Sequence, residues 1–319
     1  MKGGKAYIIS ASHISAQEPF CGIEKFEPIP MEGAMVNCKD PDFKPFIPPM
    51  AARRMSSILR RCIAVSKYVL EKASITCPDA IITGSGNGCV ADTDSFLRQM
   101  ITEKELMLNP SKFIFSTPNT MGSQIAIALG CHGFNTTHVN DGFAFEGALL
   151  DAMLLLGKGK VGNVLLCAAD QMADGLYHLV NRESLWKGLP ASEGTIGFVC
   201  SSDSNGAVCQ VDDILVTRDN PSWELDRFLS SNGLSWRDID IVVTSDLPDE
   251  KRDRFPFLPE GTQRLTYKQY CGQFLAAPAF GLFFCSELIR TSNKPLRILL
   301  AGKSRDSYSF TLTSSLCTN

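Results

Sequence analysis

Thr137-His138-Val139-Asn140-Asp141-Gly142-Phe143-Ala144-Phe145-Glu146-Gly147 is the stretch on which the fold turns. It reads as a short strand, a turn and the first turn of a helix. Beyond it Phe145, Leu149, Ala152, Met153 and Leu156 keep one apolar helical face, which stops at Gly157-Lys158-Gly159-Lys160. Val164-Leu165-Leu166-Cys167-Ala168-Ala169 follows as an unbroken apolar run, the pattern of a strand buried on both faces. A strand, a helix and a buried strand in this order predict an α/β layered fold.

Working outward, Ala6 to Ser10 and Asp79 to Thr83 read as strands, with a long amphipathic helix predicted from Met50 to Ala73 between them. The second strand ends in Gly84-Ser85-Gly86-Asn87-Gly88 before a helix near Asp92 to Met100. That turn lacks the lysine of a phosphate loop and the full dinucleotide spacing, so a tight strand-to-helix turn is the reading. Gly194 to Cys200 is another buried strand. The turn-rich Asp203-Ser204-Asn205-Gly206 divides the chain into a first half, residues 1–204, and a shorter second half, 205–319. The second half repeats the element types of the first: a helix from Ser222 to Asn232, a strand Ile239 to Val243, a buried helix Cys271 to Ile289, and a strand Leu296 to Leu300.

Composition narrows the function. A net charge of -3 over 319 residues, without a long basic block, removes the electrostatic footprint of a nucleic-acid binder. The apolar stretch from Cys271 carries Gln273, Pro278, Ser286 and Glu287, which argues against a membrane span. The N-terminal stretch is too short for a signal peptide, so a cytoplasmic location is expected. Twelve cysteines sit mostly in apolar runs and read as reduced thiols. The four histidines lack ligand spacing, and neither a metal nor a cofactor is expected.

Arg53-Arg54-Met55, Ile82-Thr83-Gly84-Ser85-Gly86, Asn119 to Gly130, Glu146 to Ala152 with Gly159, Ile239 to Ser245, and Leu265 to Gln273 form an ordered series. Together they resemble the thiolase-fold condensing enzymes, specifically the β-ketoacyl synthases and their relatives. The resemblance implies two similar halves in a five-layered α/β/α/β/α body, usually dimeric. It also implies a strand before the active site that pairs across the interface, here Thr136, Thr137, His138, Val139 and Asn140.

Active members of that family carry a cysteine at a helix N-terminus, where backbone N–H groups favour the thiolate, and two histidines that assist decarboxylation and stabilise the oxyanion. Here the resemblance puts Gly142 at the cysteine position, Ser245 at the first histidine and Gln273 at the second. Lys268 is retained, and Gly302 to Tyr308 replaces the glycine-rich loop. Loss of the nucleophile and both histidines together removes the Claisen machinery. What remains resembles a chain-length-factor subunit, which would pair with an active ketosynthase as a heterodimer, or with itself, in fatty-acid, polyketide or aryl-polyene type synthesis, with an acyl carrier protein as a further partner. An alanine at 142 is then expected to leave product formation nearly unchanged. Phe113, Phe115, Phe143 and Phe145 are candidates for lining an acyl tunnel, with core packing as the competing reading. The alternative class is a thioester-handling enzyme with altered chemistry in the same pocket. His138 is a candidate base with Asp141 or Asp170, weighed against an interface or core histidine. Cys89 and Cys271 are read as small buried residues.

Overall fold

The computed structural model describes residues 4–30, 35–106, 108, 110–182, 190–246 and 253–316. Its strands are β1 (Ala6–Ile14), β2 (Met35–Val36), β3 (Ala80–Gly84), β4 (Phe134–His138), β5 (Asn163–Asp170), β6 (Ala191–Ser192), β7 (Gly194–Ser201), β8 (Cys209–Thr217), β9 (Ile241–Thr244), β10 (Arg264–Thr266), β11 (Arg297–Ser304) and β12 (Ser307–Ser314). Its helices are α1 (Pro49–Ala52), α2 (Ser57–Lys72), α3 (Val90–Thr102), α4 (Pro110–Ser116), α5 (Thr120–Leu129), α6 (Ala144–Gly157), α7 (Asp174–Arg182), α8 (Pro221–Ser231), α9 (Lys268–Cys271) and α10 (Ala277–Thr291).

Apart from a two-stranded β2–β6 patch, the strands form one ten-stranded sheet in the order β10-β9-β11-β12-β8-β1-β7-β5-β3-β4. Two halves with the same arrangement meet at its centre. In the first, β1, β7 and β5 are antiparallel neighbours, while β5, β3 and β4 run parallel. In the second, β8, β12 and β11 are antiparallel, while β11, β9 and β10 run parallel. The halves join through β1 and β8, with Ala6 opposite Val211 and Ile8 opposite Cys209.

Strand periodicity explains the layers. Val164, Leu166 and Ala168 of β5 face a central core, while Leu165, Cys167 and Ala169 face an outer cluster with α2 and α5. In the second half Ile298 and Leu300 of β11 face the same central core, and Leu299 and Ala301 face a second outer cluster with α8. Both faces of these strands are covered, which is why they read as continuous apolar runs rather than alternating ones. The central core holds α6 and α10, each packed on strands of both halves. From α2 and α5 outward to α8 this is the five-layered α/β/α/β/α arrangement. Phe145, Leu149, Met153 and Leu156 of α6 are all buried in the middle layer, and each such side chain contributes about 1.5–3 kcal/mol on leaving water.

Two sequence expectations need correction. The helix predicted from Met50 to Ala73 is broken: α1 ends at Ala52, and α2 starts only at Ser57. The helix predicted from Cys271 is likewise split, because Gly272 adopts φ 71° and Gln273 is extended, bridging to Ala191. Pro278 then sits in the first turn of α10, where its missing N–H costs nothing.

Among the described residues, no helix is long and apolar enough to cross a membrane, and no cluster of three or more His, Cys, Asp or Glu could hold a metal.

Candidate functional site

Strand β4 delivers the chain to a short turn in which Asp141 is forced into the left-handed region (φ 48°), and a 3-10 turn over Asp141–Phe143 leads into α6. The turn is held from outside by Arg305 at the tip of the β11–β12 hairpin, whose guanidinium stands 2.9 Å from the Asp141 carboxylate. Gly142 is buried at the bottom of this turn.

Gly142, Ser245 and the Lys268–Gln273 segment come from three separate parts of the chain, yet they line one cavity, with a volume of about 30 Å³. Ser245 follows β9, and its backbone N–H donates to the Ala301 carbonyl at 3.2 Å. Lys268 opens α9, is buried, and donates from Nζ to Oε1 of Gln273. Gln273 is fixed by its own backbone, which donates to Pro190 and accepts from Ser192, each at 2.9 Å. The second half of the chain therefore supplies three of the four positions, and α6 of the first half closes the cavity.

The space that a nucleophile would need is already filled. A Cβ built on Gly142 would lie 2.2 Å from Ser304 Oγ and 2.6 Å from Ser304 Cβ. Rotation moves the hydroxyl but not the Cβ, so any side chain here must push β11 away. An alanine at 142, expected to leave product formation nearly unchanged, would thus meet Ser304, a residue the sequence did not single out, and carry a packing cost. Ser304 and Phe143 also form the wall between the small cavity and a larger outer pocket of about 620 Å³.

Glu146 and Tyr267 are further cavity residues that sequence reasoning missed. Glu146 lies one helical turn after Gly142, and a lone carboxylate on the inward face of an apolar helix was the available signal. Ser309 Oγ donates to its Oε1 at 2.8 Å, while Oε2, Tyr267 Oη and Ser245 Oγ are buried without a hydrogen-bond partner among the described residues. Burial pushes the Glu146 carboxyl up to about 7, with the Ser309 hydrogen bond and its own backbone opposing. Because the folded value is raised, the associated stability is present in full below the ordinary value of 4.5 and is lost as pH rises through about 7. For a fully buried group this amounts to a loss on the order of 3 kcal/mol. Glu146→Gln is expected to flatten the stability profile between about pH 5 and about pH 8, as measured by urea unfolding across that range.

Asp170 performs a structural task next to the site. Its carboxylate accepts from Ser85 Oγ at 2.8 Å and from Asn87 N at 2.9 Å, fixing the glycine-rich turn after β3. It also accepts from Ala276 N at 2.6 Å, tying that turn to the start of α10 in the other half. Burial raises its carboxyl to about 6, against these opposing hydrogen bonds. The glycine-rich segment is thus a pinned turn.

The remaining candidates disperse. Phe113 on α4 is exposed, Phe115 packs on the outer cluster with α2, Phe145 lies in the central core against Phe198, and only Phe143 reaches the cavity wall. The four phenylalanines therefore form no common tunnel within this chain. His138 turns away from Gly142 and bonds through Nε2 to Asp151 Oδ2 at 3.1 Å, leaving Asp141 to Arg305 and Asp170 to its own partners. Cys89 is buried with its thiol pushed up to about 12 by burial, and Cys271 is buried and shifted in the same direction. Neither is poised as a nucleophile.

Thr136, Thr137 and His138 lie on β4, the outermost strand of the first half, half-buried, and Val139 and Asn140 follow exposed. One edge of β4 pairs with β3, Thr83 Oγ1 meeting Thr137 Oγ1 at 2.7 Å, and the other edge carries no strand among the described residues. Nine of the thirteen exposed large apolar residues among those described fall between Leu97 and Leu150. These residues occupy α3, α4, α5, β4, α6 and the connections after α3 and β4, and those elements touch one another in sequence around that edge.

Comparison with known proteins fits this architecture. A sequence profile described as β-ketoacyl synthase, N-terminal domain, matches residues 30–226. No curated protein sequence gives a match. Among solved structures, "The ishigamide ketosynthase/chain length factor" superposes with a TM-score of 0.79 at 15% identity, covering 98% of this chain and 99% of that one. A type II polyketide acyl-carrier protein in complex with its ketosynthase gives 0.81 at 13% identity, covering 99% of each chain. A β-ketoacyl synthase from Burkholderia phymatum STM815 gives 0.74 at 12% identity, again over 99% of each. At these identities the superpositions speak for the thiolase-like fold, and the sequence profile, spanning more than half of the chain, shows that this protein belongs to the β-ketoacyl synthase family.

Proposed function

We propose that this chain is a non-condensing ketosynthase-type subunit, similar to a chain-length factor, that pairs through β4 with an active β-ketoacyl synthase. The observation that carries the reading is the cavity in which Gly142, Ser245 and Gln273 meet, because its described lining holds no thiol or imidazole and Ser304 takes up the nucleophile's room. A condensing site must hold an acyl thioester and an extender at once. A cavity of about 30 Å³ accommodates neither.

Assembly through β4 is supported by the open strand edge and the apolar residues gathered around it. An unpaired edge exposes backbone donors and acceptors, and a partner strand would satisfy them. The relative titled as a ketosynthase/chain length factor and the one titled as a carrier protein with its ketosynthase make an active ketosynthase the partner of choice, with the carrier protein visiting the assembled pair. The product would be a chain built by a fatty-acid, polyketide or aryl-polyene type system, and the halves 1–204 and 205–319 would form one rigid wall of that assembly.

Co-expression with a ketosynthase that retains its cysteine tests this. A stable heterodimer by native mass spectrometry is expected, with acyl loading confined to the partner. Homodimers that turn over acyl thioesters unaided would overturn it.

A further inference from the structure

Cys77 and Cys131 stand side by side where the chain enters β3 and β4. The parallel register sets Ala80 opposite Phe134, and each cysteine lies three residues ahead of its member of that pair. The two segments stay together ahead of the strands, since a Cβ built on Gly133 would lie 2.1 Å from the Asp79 carbonyl oxygen. Neighbouring strands run about 4.8 Å apart, inside the separation of about 4.4–6.8 Å between Cα atoms that a disulfide spans. The thiols themselves converge. Cys77 Sγ donates to the Pro78 carbonyl at 3.7 Å and Cys131 Sγ donates to the same oxygen at 3.3 Å, which brings the two thiols within interaction distance of each other.

Access separates this pair from the other neighbouring thiols. Cys62 and Cys167 also interact, but both are buried in the outer core beyond reach of an oxidant. Cys77 is exposed, the only described cysteine that is, and Cys131 is buried directly behind it. An exposed attacking thiol backed by a second thiol is the arrangement of a dithiol that closes on oxidation.

We propose that Cys77 and Cys131 are a reversible dithiol–disulfide modification site at the foot of the edge strand, with a small-molecule disulfide such as oxidised glutathione as the oxidant. In the first step the Cys77 thiolate attacks one sulfur of glutathione disulfide. The glutathione S–S bond breaks, and one glutathione leaves as its thiolate and takes up a proton. The Cys131 thiolate then attacks the Cys77 sulfur and expels the second glutathione. The two cysteines lose two electrons and two protons, and one glutathione disulfide becomes two glutathione thiols. Desolvation and the adjacent Cys131 raise the Cys77 thiol above its ordinary value, so closure accelerates as pH rises. The bridge would fasten the entrance of β4 to β3, and, on the reading of β4 as the pairing edge, oxidation would fix the position of that edge.

The test treats the reduced, folded protein with glutathione disulfide and follows intact mass and non-reducing peptide maps. Expected is the loss of two hydrogens with a linked Cys77–Cys131 peptide, reversed by dithiothreitol. Cys131→Ser is expected to stop at a stable glutathione adduct on Cys77, and Cys77→Ser to give no linked peptide. A persistent adduct on Cys77 of the unaltered protein, or a bridge joining other cysteines, would overturn the proposal. Heterodimer formation is read separately by native mass spectrometry, so failure of the pairing model leaves this result distinguishable.

Discussion

Gly142→Cys is expected to destabilise the protein and to leave it unable to condense. The new Cβ would stand 2.2 Å from Ser304 Oγ and 2.6 Å from its Cβ, too close for β11 to stay where it is. Overpacking of this kind costs about 1–3 kcal/mol, and it would be read as a lower melting temperature for Gly142→Cys and Gly142→Ala alike. Adding Ser304→Gly should return most of that loss, because the clash is with one short side chain; failure of the double variant to recover would sink the packing argument. Even when repacked, the cysteine would share its cavity with Ser245 and Gln273, neither of which carries an imidazole. Malonyl decarboxylation and acyl elongation by the isolated double variant are therefore expected to stay at background in a carrier-protein mass assay. Measurable elongation would show that the cavity is closer to catalysis than its volume indicates.

The second large effect concerns the edge of the sheet. Phe134 and Val139, at 48% and 50% exposure, stand at the two ends of the edge strand β4. Replacing both by lysine leaves the β3 pairing intact, since neither side chain contributes to a buried core. It would, however, place two desolvated charges in any strand-to-strand contact, at several kcal/mol. Dimer dissociation is expected to increase by at least about a hundredfold, since each 1.4 kcal/mol is a factor of ten. Sedimentation velocity of the double variant with its ketosynthase partner is the measurement. An unchanged dimer would relocate the interface away from β4.

What could be read from the sequence is what depends on neighbours along the chain. The apolar run of β5 and the inward face of α6 are local patterns, whereas in the second half only β9 and β11 carry such a pattern and β8, β10 and β12 do not. The positions Gly142, Ser245 and Gln273 came from the ordered family segments, and they line one cavity in space. What escaped notice depended on distant contacts or on single backbone angles. Ser304 meets Gly142 only because β11 crosses the far side of the cavity. The break before α10 rests on the positive φ of Gly272, where a Cβ would meet Ser192 at 2.7 Å. The candidate tunnel residues scatter for a related reason, since Phe113 and Phe115 ride on α4 away from the cavity while Phe145 turns into the central core.

Strand β1 sits at the centre of the ten-stranded sheet although it precedes the other described strands in the chain. Its neighbours β7 and β8 begin at Gly194 and Cys209, so neither of its edges can be closed until those distant strands exist. On the ribosome the N-terminal strand must wait, with both edges unpaired, through the synthesis of nearly two hundred residues. Such non-local pairing makes folding slow and leaves the nascent chain open to aggregation. Chaperone dependence during synthesis, rather than low final stability, is the handicap this topology imposes.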